Sequence, residues 1–293
     1  MVLDKNDIIF LDDSFKQCIE MVEKKDKVAQ CFLGISYIDG IYVKQNFKKA
    51  EYWLTKSIKQ GFCDAFYQLA CLYMYNEAFK NKRGKGFDLL KKSTESGYAK
   101  SQRLMGDLYH SQDNQYVKYD DKMALSLYKK AAEQNDVDSQ FNLFIFYMHG
   151  FATHPDYEQA YYWVKRAAEN NDVEAMCNLA ICYKNGDGIK RNLKESFKWL
   201  KKAADNELPK AQKLLGDFYK NGTGTKRDKE KSFYYYKKAA ENECVEAYNI
   251  LSMMYYNGDG TNKDRDAALI WAKKGADLND ERSLAVYYYI LEH

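Results

Sequence analysis

Residues 175–210 read AMCNLAICYKNGDGIKRNLKESFKWLKKAADNELPK, and residues 211–246 read AQKLLGDFYKNGTGTKRDKEKSFYYYKKAAENECVE. Residues 247–282 follow the same plan, so the chain repeats itself every 36 residues. A fixed period of this size marks an array of stacked helical hairpins. With Ala175 as repeat position one, Leu179, Ala180 and Tyr183 fall at positions five, six and nine. Those spacings put all four residues on one helix face. Asn185, Gly186 and Gly188 then stop the helix, because glycine accepts the left-handed backbone that closes one. Asn192 stands where a side-chain oxygen can cap a second helix. That helix carries Phe197, Trp199, Leu200, Ala203 and Ala204 opposite a lysine-rich side. Helices this short are marginal in water, so the two must pair and the pairs must stack.

The recurring pattern A-x3-L-[GAS]-x2-Y-x2-G-x-G-x7-[AS]-x2-[WY]-x3-[AG]-A resembles the Sel-1-like repeat family of tetratricopeptide-like proteins. It is cleanest over residues 175–282, with Ser252 and Gly275 as mild departures in the third unit. The resemblance implies an all-α fold, a right-handed superhelical solenoid of about seven helix-turn-helix repeats. The repeats are expected at 29–64, 65–100, 101–138, 139–174, 175–210, 211–246 and 247–282. Residues 1–28 are expected to hold a capping helix at 13–26 after an irregular start. Residues 283–293 are expected to form a second cap, a first-type helix without its partner. Repeat two is degraded: Asn76-Glu77-Ala78-Phe79 replaces the glycine turn, and Gly86, Leu89 and Ser93 replace larger or different packing residues. Repeat three gains two residues in SQDNQYVKYD, a loop expected to protrude.

A chain of 293 residues would ordinarily suggest two domains. A solenoid grows by addition, so one elongated domain is the expectation. Two prolines suit a mostly helical chain. No apolar run reaches the roughly 18 residues a membrane span needs. The start, MVLDKNDIIFLDDSF, lacks the long apolar stretch of a secretory signal. A net charge of +3 is too small to imply nucleic acid, and no stripe of Arg and aromatics would read single strands. The seven cysteines form no paired framework, which points to free thiols and a cytoplasmic location. Secreted bacterial relatives of the family carry one Cys pair per repeat, a pattern absent here.

Chemical readings of the motifs are weak. The Gly-x-Gly turns at 186–188, 222–224 and 258–260 follow a helix, whereas a phosphate loop follows a strand and opens a helix. Residues 257–264 have the outline of a calcium loop, but Ala268 stands where its bidentate acid belongs. His110, His149, His154 and His293 share no ligand spacing, so neither metal nor cofactor is expected. No nucleophile–base set can be assembled, and the chain is expected not to be an enzyme.

In tetratricopeptide-like arrays the first helices line the concave wall. Positions one, five, six and nine are expected to be buried, leaving three, seven, ten and eleven facing the groove. Among the residues so selected, the binding groove is expected to use Tyr67, Cys71, Met74 and Tyr75, then Arg103, Asp107 and His110, then Phe141, Ile145, Met148 and His149, and finally Lys184, while repeats six and seven present Lys213, Asp217, Lys220 and Asn221, then Asn249, Met253, Tyr256 and Asn257. Cys31 and Cys177 occupy position three by the same rule. Aromatics, Met and Arg are the side chains enriched at interface cores. The expected function is therefore a protein-binding scaffold or adaptor that takes a partner protein or peptide in its concave groove. Two alternatives follow from the resemblance: an inhibitor that neutralises a bacterial toxin, and a hydrolase of the penicillin-binding or β-lactamase-like kind.

Overall fold

The structure is a computed structural model that describes residues 7–293. The expected N-terminal segment therefore lies partly outside the described residues. Sixteen α-helices and no strand occur among those described, with one isolated antiparallel bridge between Ile8 and Val43. A lone helix α1 (Asp13–Glu23) precedes seven hairpins. These are α2/α3 (Lys27–Asp39, Phe47–Ile58), α4/α5 (Cys63–Tyr75, Arg83–Glu95), α6/α7 (Ala99–His110, Asp121–Glu133) and α8/α9 (Val137–His149, Tyr157–Glu169). They continue with α10/α11 (Val173–Asn185, Leu193–Asp205), α12/α13 (Pro209–Asn221, Lys229–Glu241) and α14/α15 (Val245–Asn257, Arg265–Asp277). Helix α16 (Glu281–Glu292) ends the chain. The chain divides into two compact units, Met1–Ser139 and Gln140–His293, and the division falls within α8.

The sequence explains where each helix begins and ends. Second helices other than α5 start on an Asn or Asp whose side chain accepts from the first turn: Asn192 takes the amides of Lys194 and Glu195, both at 3.1 Å. First helices α10, α12 and α14 end on Gly186, Gly222 and Gly258, all left-handed, with φ between 70° and 93°. Second helices close differently. Lys25, Gly61, Gly97, Asn135, Asn171, Glu207, Glu243 and Asn279 all have positive φ, one after α1 and one after each second helix. Lys25 falls one period before Gly61, and its neighbour's amide, Asp26 N, reaches Met21 O at 3.0 Å. Helix α1 therefore has the closing turn of a second helix. In repeat two the missing glycine turn is replaced by a 3₁₀ segment, Glu77–Lys82, held by Asn76 accepting from Ala78 N.

Helices of one hairpin make the most extensive contacts, as in α4/α5 and α12/α13, and consecutive hairpins come next. The interior is accordingly a series of layers. One groups Phe15, Leu33, Tyr37, Trp53 and Leu69; another groups Met74, Leu90, Met105 and Leu127; a third groups Ala239, Tyr248 and Leu251. Two expectations need correction. Position three is not uniformly outward: Cys31 and Cys177 are 1% and 0% exposed, because a short thiol stays between the helices where a longer side chain would reach out. Position nine is buried in Tyr37, Tyr73, Tyr147 and Tyr219 but only half-buried in Tyr109, Tyr183 and Tyr255. The loop of repeat three is mostly exposed and is pinned at two points: Asn114 donates to Leu108 O at 2.7 Å, and Tyr116 stacks on Phe87 with ring centroids 5.2 Å apart.

Candidate functional site

In the first unit the selected residues lie on α4 and α6. Tyr67, Cys71 and Tyr75 recur every fourth residue along α4, so they form one stripe. Tyr75 is 58% exposed, whereas Tyr67 and Cys71 are half-buried. Burial pushes both the Tyr67 hydroxyl and the Cys71 thiol up, so both stay protonated at neutral pH. Met74 is withdrawn: it is 3% exposed and packs in the layer of Leu90 and Met105, beside Gly86, where a Cβ would lie 2.8 Å from its Cγ. Position ten of this helix therefore serves the interior, because a glycine on α5 lets the hairpin close over it.

Helix α6 faces the same way with charged groups that are already engaged. Arg103 Nε lies 3.3 Å from Asp136 Oδ1, and Nη2 lies 3.1 Å from Asp138 Oδ2. Burial would lower the Arg103 pKa, but these carboxylates more than offset it. Asp107 accepts from the Tyr128 hydroxyl at 2.7 Å, and burial holds its carboxyl above the ordinary value. His110 Nδ1 lies 2.6 Å from Asp121 Oδ1, and Asp121 also accepts from Tyr119 at 2.5 Å. Asp121 opens α7, so His110 ties the end of one helix to the start of the next. These contacts position a polar, aromatic surface whose charges are largely satisfied by neighbouring side chains.

In the second unit, Phe141, Ile145 and Met148 lie half-buried along α8, and His149 at its end is exposed. Phe141 packs on Phe144 with centroids 5.7 Å apart, and His149 lies 5.5 Å from the Phe151 ring. Lys184, exposed on α10, sits 6.0 Å from the ring centre of Phe218. All seven cysteines are free; burial pushes Cys31 and Cys182 up to about 12 and Cys18, Cys177 and Cys244 up to about 11. Such thiols are not nucleophiles at neutral pH. Among the described residues no group of three or more His, Cys, Asp or Glu is placed to hold a metal ion, and no helix is long and apolar enough to cross a membrane.

Two concave features hold residues that counting repeat positions did not reach. A cleft of about 1030 Å³ lies between α1 and α3, lined by Ile19, Val22 and Trp53 and rimmed by lysines. A smaller pocket of about 290 Å³ lies where α12, α14 and α16 meet, with Arg227 and Lys229 contributed from beyond the first helices. The position rule samples first helices alone, so residues from turns, second helices and α16 escape it.

The arrangement has close counterparts. A crystal structure of a protective antigen present in uropathogenic Escherichia coli strains, displaying an SLR fold, matches with a TM-score of 0.85 and 26% identity. The match covers 95% of this chain and 59% of that one. A Sel1 repeat protein from Oxalobacter formigenes matches with a TM-score of 0.72 and 28% identity over 93% of this chain and 79% of its own. In sequence, a putative sel1-like repeat-containing protein, L21, of Acanthamoeba polyphaga mimivirus is 30% identical over 151 residues. That match spans 52% of this chain but only 27% of the viral protein. The Sel1 repeat family profile matches residues 27–62, 99–136, 137–172, 173–208, 209–244 and 245–280, leaving out the degraded second repeat. With most of its length matched and the hairpins in register, the chain belongs to the Sel1 repeat family.

Proposed function

We propose that the chain is a non-enzymatic binding module that takes a protein or peptide on the face formed by its first helices. In the first unit that face is Tyr67, Cys71 and Tyr75 beside Arg103, Asp107 and His110; in the second it is Phe141, Ile145, Met148, His149 and Lys184. The observation that carries the reading is Tyr75, an aromatic side chain 58% exposed on a stripe whose other members are half-buried. Large rings with a polar tip, left outward beside satisfied charges, are the anchors that protein interfaces use. Arg103 and Asp107 are engaged with neighbours of their own, which suits a rigid docking surface better than acid–base chemistry. Seven free thiols suit a reducing compartment, and we place the protein in the cytoplasm on that ground.

The test is capture of partners from the native cell by the cross-linked chain, compared with Tyr75→Ala. Because Tyr75 is exposed, its truncation should leave the helical circular dichroism signal unchanged while the captured partner falls by about tenfold or more. Undiminished capture, or turnover of a hydrolase substrate that depends on His110 or Asp107, would overturn the reading.

A further inference from the structure

The cleft of about 1030 Å³ between α1 and α3 carries a division of charge that the later hairpins lack. The place of Lys56 on α3 is taken on the six later second helices by Lys92, Lys130, Arg166, Lys202, Lys238 and Lys274. Three residues on, the place of Lys59 is taken by Glu95, Glu133, Glu169, Asp205, Glu241 and Asp277. The later second helices therefore set a cation beside an anion, as helix neighbours three apart. Helix α3 breaks this rule with two cations, Lys56 and Lys59. Helix α1 stands one period earlier and breaks it with two anions, Glu20 and Glu23. All four line the cleft.

Like charges three apart on one helix are unfavourable, so the departures do not serve the helices that carry them. Nor do they fasten α1 to α3: none of the four lies within 4.0 Å of an opposite charge among the described residues. Lys56 instead rests over the Tyr52 ring, 5.5 Å from its centre. Between the rims the floor is apolar, made by Ile19, Val22 and Trp53 with Ile8 and Leu11 from ahead of α1.

An acidic rim, a basic rim and an apolar floor ask for a ligand with a cation, an anion and a hydrocarbon body. A fatty carboxylate would set its charge beside Glu20 and Glu23 with nothing to offset them. An alkyl ammonium would be repelled by Lys56 and Lys59. A free amino acid carries both charges but fills little of a cleft at the upper end of the range for ligand pockets, about 300–1,000 Å³. A zwitterionic head on one alkyl chain meets all three demands, and the Trp53 ring adds a surface that ammonium groups favour.

We propose that this cleft binds a zwitterionic amphiphile with a single alkyl chain. Its ammonium lies at Glu20 and Glu23, its anionic group at Lys56 and Lys59, and its chain on Ile19, Val22 and Trp53. The site shares no residue with the Tyr75 surface, so either reading can fail without the other.

The test is isothermal titration calorimetry of the full chain with decylphosphocholine, decyl sulfate and decyltrimethylammonium, each below its micellar concentration. The zwitterion should bind about fivefold more tightly than either singly charged head, a preference that added salt shrinks. Octylphosphocholine should bind about fifteenfold more weakly than the decyl compound, at about fourfold per methylene removed. Glu20→Lys and Lys59→Glu each restore the charge found at that place in the later helices, and both positions are exposed. With the circular dichroism signal unchanged, Glu20→Lys should turn the preference toward decyl sulfate and Lys59→Glu toward decyltrimethylammonium. No binding of decylphosphocholine, equal binding of the three heads, or equal binding of the two chain lengths would overturn the proposal. So would preferences that neither substitution moves. Sedimentation of the chain with phosphatidylcholine vesicles would also overturn it, by showing that the cleft serves a bilayer surface and not a single-chain molecule.

Discussion

At the scale of single residues, the two glycines of each turn differ in what they are for. Gly186 ends a helix and has space around it: a Cβ there would lie 3.4 Å from its nearest neighbour, Ile189 O. Gly188, Gly224 and Gly260 have φ of 69°, 67° and 76°, and a Cβ would fall 1.9, 2.0 and 2.1 Å from the carbonyls of Tyr157, Leu193 and Lys229. Each of those residues opens the second helix of the preceding hairpin, so this glycine is where consecutive repeats touch backbone to backbone. Ala152 holds the corresponding place in repeat four and adopts φ of 66° despite its Cβ. Left-handed backbone costs an L-residue about 1–2 kcal/mol. Ala152→Gly should therefore raise stability by about 1 kcal/mol, while Gly224→Ala, strained and clashing with main chain, should lower it by more than about 2 kcal/mol. Urea midpoints of the two variants decide it; small shifts of the same sign would show that the turn is not a contact point.

At the scale of elements, the hairpins are fastened by side-chain pairs that come as sets. Where position 26 is tyrosine, position six is glycine and position seven is aspartate: Tyr128 lies over Gly106 and donates to Asp107 at 2.7 Å, and Tyr236 lies over Gly216 and donates to Asp217 at 2.5 Å. Gln at position two is likewise clasped from the end of the second helix, by Gln60 on Gln30 at 2.9 Å, Gln134 on Gln102 at 2.8 Å, and Asn170 on Gln140 and Asn242 on Gln212, both at 3.0 Å. Helices, caps and turns were legible in the sequence because each is set by local spacing and by one or two residues with a fixed job, such as Asn192 or Gly186. The face of the candidate site was legible only in outline. Whether Met74 points out or in depends on Gly86 on another helix, and whether Asp107 is available depends on Tyr128, across the hairpin. The pocket at Lys220 and Arg227 needed three elements at once. The Asp107 carboxyl carries a pH signature of this fastening. Burial sets its folded pKa above the unfolded value, so its contribution is most favourable at low pH and is lost as pH rises through the folded value. Asp107→Asn keeps an acceptor for Tyr128 and removes the titration. Its urea midpoint should match the parent at about pH 3 and exceed it at about pH 7; a difference independent of pH would mean that Asp107 is not penalised by burial.

At the scale of the whole molecule, the contacts that hold the chain are short-range in sequence, within a hairpin and between consecutive ones, and the interior comes in layers. Stability in such an array is close to a sum of repeat terms and nearest-neighbour terms, so damage should stay near its origin. Leu251 offers the test inside the second unit. It is fully buried on α14 and packs in the layer of Ala239, Ala240 and Tyr248. Leu251→Ala removes that packing and leaves a cavity, a change that costs about 2–5 kcal/mol in a tight interior. A globule with one shared core would spread the loss over every helix, since all would open together. The layered interior instead predicts that amide protection against hydrogen exchange collapses over α13 to α15, which supply the layer around Leu251, while α9 and α10 keep most of theirs. Exchange measured by mass spectrometry on peptides from residues 140–293 separates the outcomes, and a uniform loss across that whole range would rule out the summed-neighbour account of this fold.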